Sequence, residues 1–192
     1  TLRFSSPTQF MAQRKSTVDE AYPGDIVGLP DTGGVFKIGD TLTEGEQLHF
    51  RGLPSFSPEL FKYIENDDPM KAKQFQKGLE QLMNEGVAQL FINQFNNRKI
   101  VGTVGQLQFE VIQYRLEHEY NAKCRWEPVH LHKACWIEAE NAEALENFKK
   151  RKYQYMAKDT EGRDVFLADS GYVLSMAQQD FEDIKFHFTS EF

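Results

Sequence analysis

The residues with the most chemical promise lie close together in the second half of the chain. Cys124, His130, His132 and Cys135 read as Cys-x5-His-x-His-x2-Cys, with His118 nearby, four soft or borderline ligands of the kind that hold zinc. A strand through this stretch would set His130 and His132 on one face and turn Cys135 to the other, which separates the ligands. The two cysteines are too few for a disulfide framework and are expected to be reduced core residues. Asp169-Ser170-Gly171 lacks the flanking glycines of a nucleophile elbow, and His187 alternates with Phe186 and Phe188 as a structural histidine on a strand would. No acid, base and nucleophile set assembles from the rest, so the chain is not expected to be an enzyme by itself.

Positive charge is the other candidate currency. Arg14 and Lys15 fall in a polar stretch, Gln13 to Ser16, expected to be an exposed loop. Arg98 and Lys99 follow the polar segment Asn93 to Asn97 and flank Phe95, a hairpin tip suited to touching RNA or protein. Lys149, Lys150, Arg151 and Lys152 form the densest basic run, which also suits the negative end of a helix. Against this, the net charge is -7 at pH 7 and 27 % of residues are charged, so the chain is no general nucleic-acid coat. No apolar run has the length of a membrane span, and the amino end has no signal-peptide pattern. The chain reads as cytoplasmic, with no membrane partner, and as a monomer.

The elements that hold these residues follow from turn chemistry and periodicity. Residues 21–43 alternate short apolar runs with Pro23-Gly24-Asp25, Thr32-Gly33-Gly34 and Gly39-Asp40, the rhythm of a small antiparallel barrel. Strands are expected at Thr8 to Met11, Ile26 to Leu29, Val35 to Ile38 and Gln47 to Phe50. Pro54 and Pro58 mark a link, giving a barrel domain over residues 1–53 and an α+β domain over 54–192. Glu59 to Glu65 can open as a helix by local rules. Asp68-Pro69 opens a helix to Glu85 that buries Phe75, Leu79, Leu82 and Met83. Strands at Val87 to Ile92 and Lys99 to Val104 follow, then a helix over 106–120 packing Leu107, Val111, Ile112 and Leu116, and a strand at Ala122 to Glu127. With a strand at Glu59 to Glu65, this is the β-α-β-β-α-β order of a ferredoxin-like domain. An extension adds a strand at Lys133 to Glu138, a helix from Asn141 to about Met156, a strand at Asp164 to Ala168, a helix at Tyr172 to Phe181 and a strand at Ile184 to Phe188. The two α/β units are candidates for neighbouring parts of one sheet.

Several stretches in this order resemble the bacterial peptide chain release factor 3 family of translational GTPases. They are Phe10-Met11-Ala12, Val18 to Tyr22, Pro23 to Leu29 with Ile38-Gly39-Asp40-Thr41-Leu42, Pro58 to Phe61, Gly105 to Val111 and Lys185 to Phe188. The resemblance supports a strand at Glu59 to Glu65, and implies a partial second-domain barrel followed by a ferredoxin-like domain with additional βαβ elements. It also implies a ribosome-binding part of a factor that dissociates and recycles class I release factors, with small-subunit rRNA and a small-subunit protein as contacts. GTP or GDP and Mg would belong to a G domain. The phosphate-cradling Gly-x-x-x-x-Gly-Lys-Ser/Thr loop is missing from the 192 residues: Gly102-Thr103-Val104-Gly105 has no lysine, and Asn96 to Lys99 lacks the aspartate of a guanine-reading loop. A barrel that starts late leaves open edges, so a longer parent chain is expected. Two other readings share the pattern: an elongation-factor-like translocase or ribosome-protection GTPase, and a stand-alone RNA-binding or small-molecule-sensing ferredoxin-like module. The aromatic stacking signature of an RNA-recognition domain is absent from Lys99 to Phe109.

Overall fold

The computed structural model describes residues 7–11, 14–31, 36, 40–46, 48 and 57–190. Its contacts divide the chain into two compact units, Thr1–Asp40 and Thr41–Phe192.

In the first unit β1 (Thr8–Met11) pairs antiparallel with β2 (Arg14–Thr17) on one side and β3 (Val27–Gly28) on the other. Arg14 and Lys15 therefore sit in a strand, with Arg14 opposite Met11 and Lys15 opposite Phe10, and not in the expected loop. The physical reason is that a partner strand satisfies the backbone of a polar stretch as well as an apolar one. Pro23-Gly24 forms the expected turn: Asp25 N donates to Tyr22 O at 2.9 Å, and Gly24 takes φ +98°, which an L side chain resists. Most of the expected strands at Val35 to Ile38 and Gln47 to Phe50 lies outside the described residues.

Among the described residues, the second unit is one eight-stranded sheet carrying four α-helices. Its first half runs β4 (Leu60–Asn66), α1 (Ala72–Asn84), β5 (Gln89–Asn93), β6 (Lys99–Thr103), α2 (Gln106–Tyr120), β7 (Cys124–Pro128). Asp68 accepts from Met70 N at 2.9 Å and caps the one-turn helix Pro69–Lys71 that leads into α1. The first strand is β4, not a helix, because its two faces alternate between cores on opposite sides of the sheet: Phe61 and Tyr63 go one way, Ile64 the other.

The second half runs β8 (Lys133–Glu138), α3 (Ala142–Arg151), β9 (Met156–Asp159), β10 (Asp164–Ala168), α4 (Gly171–Asp180), β11 (Lys185–His187). The expected extension is thus a second complete β-α-β-β-α-β unit. The helix expected to reach Met156 stops at Arg151, and Met156–Asp159 is a strand. The cations of the last turn suit this end, but they do not enforce it, since Leu145, Phe148 and Tyr155 keep helical spacing and no glycine or proline intervenes. What ends it is the edge of β5, whose free backbone groups take β9 as an antiparallel neighbour, Phe91 opposite Asp159 and Asn93 opposite Ala157.

The sheet order is β11-β8-β10-β9-β5-β6-β4-β7, so both halves have the ferredoxin-like strand order and meet at their matching edge strands. Helices α1 and α2 cover a core of Ile64, Phe75, Leu79, Leu82, Leu90, Val101, Phe109, Ile112 and Leu116. Helices α3 and α4 cover another, centred on Phe148 and Phe166. A third core, Phe61, Phe91, Ile100, Trp136, Ala157, Val165 and Leu167, lies on the sheet face away from the helices and draws on both halves.

The sheet must curl to bury that face. Residues 129–132 alone join β7 to β8, which stand at nearly opposite ends of the strand order. An extended link of this length reaches roughly 17 Å, whereas six spacings of a flat sheet come to roughly 29 Å. Phe91 and Trp136 accordingly approach to 5.9 Å between ring centroids, although three spacings separate β5 from β8. Val129 and Leu131 of the link pack against the same core.

Candidate functional site

The cysteine and histidine constellation is dispersed by the fold. Cys124 packs against the α1/α2 core, Cys135 is buried under α3 and α4, and His130 and His132 are exposed on the link. Among the described residues no group of three or more His, Cys, Asp or Glu is arranged to hold a metal ion. Burial, reinforced by the charges of Glu117 and Asp67, pushes the Cys124 thiol up to about 11. Burial pushes Cys135 up to about 12. A reactive thiolate needs the opposite environment.

Two further places with catalytic residue types prove to be helix starts. Ser170 Oγ accepts from Val173 N at 3.3 Å and donates to Asp169, so this pair caps α4. At α2, Gln108 Oε1 accepts from Val104 N at 2.8 Å and Gly105 N at 3.0 Å, while its Nε2 donates to Val87 O. Gln108 thus ties Val104, Gly105 and Val87 together and closes the turn that leads into α2.

The basic candidates separate into spent and unspent charges. Arg98 donates to Glu65 and Glu127 and lies 3.7 Å over the Tyr63 ring. Arg125 joins the same cluster, donating to Glu65 at 2.8 Å. Hydrogen bonds from Arg98 and then Arg125 hold the Glu65 carboxyl below the usual carboxylate range. Arg98 is therefore a clasp across β4, β6 and β7, and its charge is met inside the protein. Lys99 lies 5.9 Å over the Phe75 ring. Lys149 is also engaged, 2.7 Å from Glu146 and 3.3 Å from Asp164. Lys150 and Arg151 are exposed and Lys152 half-buried; Arg151 and Lys152 stand 6.0 and 5.8 Å from the Phe181 ring. Of Arg14 and Lys15 only the strand position is described.

The fold brings the hairpin tip and the basic run together. The β5–β6 turn folds on Asn93, whose Oδ1 accepts from Phe95 N and Asn96 N, with Asn97 at φ 55°. Gln94 N donates to Met156 O at 2.8 Å, and Tyr153 Oη donates to Gln94 O at 3.0 Å. Phe95 and Tyr153 meet edge to face at 5.9 Å, yet remain 64 % and 51 % exposed. Tyr153 follows Lys152 directly, so an exposed aromatic pair sits at the end of the Lys149 to Lys152 run. Phe95 is visible in the sequence as the aromatic of the tip. Tyr153 is not, because helical spacing absorbs it.

Comparison with known proteins agrees with this architecture. Residues 1–45 match the family described as Elongation factor G domain 2. A solved structure described as the crystal structure of ttk003000868 from Thermus thermophilus aligns with a TM-score of 0.53 at 17 % identity, covering 73 % of this chain. At that identity the likeness speaks for the fold, and this chain spans 23 % of that one. The two family matches mark domains related to translational GTPases. Residues 50–178 match the family described as Class II release factor RF3, C-terminal domain, and with that match covering most of its length the chain belongs to the class II release factor RF3 family.

Proposed function

We propose that this chain is the ribosome-binding part of a GTP-dependent translation termination factor, cytoplasmic and monomeric, which promotes dissociation and recycling of class I release factors. GTP and magnesium would be taken by a G domain of the parent protein, since the residues here offer no phosphate loop. The task of this part is to be stiff and to fit. A continuous sheet with a core drawn from both halves would carry a domain rotation to a distant contact as a rigid body.

The observation that carries the reading is the meeting of the β5–β6 tip with the end of α3 through Gln94, Phe95 and Tyr153. Exposed aromatic edges beside Lys150, Arg151 and Lys152 suit small-subunit rRNA, where bases stack and phosphates pair with cations, at the boundary with a small-subunit protein. Lys99, Arg14 and Lys15 remain supporting candidates. Arg98 and Lys149 would act by holding the surface in shape.

The test is binding of the protein to purified bacterial small ribosomal subunits across a salt series. Lys150→Glu, Arg151→Glu and Lys152→Glu together are expected to weaken binding and flatten its salt dependence, by about 0.7 to 0.9 in the log–log slope for each phosphate left without its cation. Equal affinity and equal slope for parent and variant would refute the placement.

A further inference from the structure

Helix α2 is apolar on two opposite sides. Phe109, Ile112 and Leu116 face the core, whereas Leu107 and Val111, both expected from spacing to pack inward, turn outward with Tyr114, the three being 68 %, 40 % and 62 % exposed. The outward residues follow i, i+4, i+7, a single straight stripe. His118 extends it by one turn, its ring stacked on Tyr114 at 4.0 Å. Such a stripe offers on the order of 300 Å² of apolar surface, the size at which patches on soluble proteins are often functional.

We propose that this face of α2 docks a basic amphipathic helix of another protein. Its rim decides the occupant. Glu110 and Glu117 border the stripe on one side. On the other, Arg115 is held by Glu85 and by Glu119 at 2.8 Å, so that cation is already answered and carboxylates are in surplus. Lys123 lies 3.6 Å from Glu117. A second copy of this chain would bring Glu110 and Glu117 against the same acidic rim, and nucleic acid or an anionic membrane would meet it with like charge. A helix with apolar residues at matching spacing and lysines or arginines along its flanks meets both the stripe and the rim. The face is well under half of the roughly 800 Å² per partner of a standard stable interface, so it acts as a secondary hold for a complex anchored elsewhere.

This inference rests on α2 and stands apart from the basic tip, so the two fail separately. The test is residue-resolved NMR titration of the protein with a synthetic Leu/Lys amphipathic peptide helix, and with a Leu/Glu peptide of the same pattern. The Leu/Lys peptide is expected to shift the amides of Leu107, Val111 and Tyr114, and Leu107→Gln with Tyr114→Gln is expected to weaken it roughly tenfold or more. Both side chains are exposed, so an unchanged circular dichroism spectrum certifies the fold of that variant. Equal shifts with the Leu/Glu peptide, shifts that avoid α2, or concentration-dependent broadening of α2 signals without peptide would overturn the proposal. Subunit binding by the parent protein is untouched by any of those outcomes.

Discussion

Replacing Phe91 by alanine probes whether the two halves of the sheet are one folding unit. Phe91 is fully buried on β5, with its ring 6.3 Å from that of Phe61 in its own half and 5.9 Å from that of Trp136 in the other. Removing a fully buried ring costs about 3 to 5 kcal/mol, and the tilted ring pairs lost with it place this site toward the middle of that range or above, about 4 kcal/mol. With a urea m-value of about 2 kcal/mol/M, the unfolding midpoint should fall by about 2 M. The informative readout is where the loss appears. Hydrogen exchange followed on β6 in the first half and on β10 in the second should accelerate together in Phe91→Ala, because the core under Phe91 belongs to both. Acceleration confined to β6, with β10 as protected as before, would refute a shared core and leave two independent ferredoxin-like units lying side by side.

Gly78→Ala is expected to destabilise despite the better helix propensity, because the new Cβ would lie 2.6 Å from Tyr120 Cγ and 2.9 Å from Leu116 where α1 and α2 touch; a net loss of about 1 to 2 kcal/mol in chemical unfolding is expected. Arginine partners hold Glu65 and Glu119, and Lys185 holds Glu140, below the usual carboxylate range. Folded pKa values below the unfolded ones mean that the unfolded chain binds more protons as pH falls, so this stability is complete above about 4.3 and drains away below it. Thermal melts across pH 3 to 7 should show that slope, and Arg98→Met, which removes the stronger partner of Glu65, should make it shallower. Neither Cys124 nor Cys135 should react appreciably with a thiol-disulfide reagent at about pH 8 until the protein is unfolded, since burial keeps both protonated; rapid titration of either in the native protein would contradict the packing described for it.

The sequence determined a good deal through local physics. Asp68-Pro69 announced the start of the first helix, the spacing of Phe75, Leu79, Leu82 and Met83 gave its buried face, and the Pro23-Gly24 turn and the 106–120 helix formed where their residues direct. Ser170 and Asn141 open their helices by accepting from the first-turn amides, a bond that needs only a few neighbouring residues. Other features had no local signal because their cause lies far along the chain. Strand β9 exists because β5 offers it an edge, and the helical spacing of Leu145, Phe148 and Tyr155 ahead of it gives no notice of a strand. Arg98 looks like a free tip cation until Glu65 and Glu127, on other strands, are placed beside it. Leu107 and Val111 share a helix with Phe109 and Ile112, and only the position of the sheet decided which pair turned inward. Propensity and capping act within a few residues, whereas charge pairing, edge satisfaction and the curl that buries Phe91 against Trp136 depend on which distant segments the closed sheet makes neighbours.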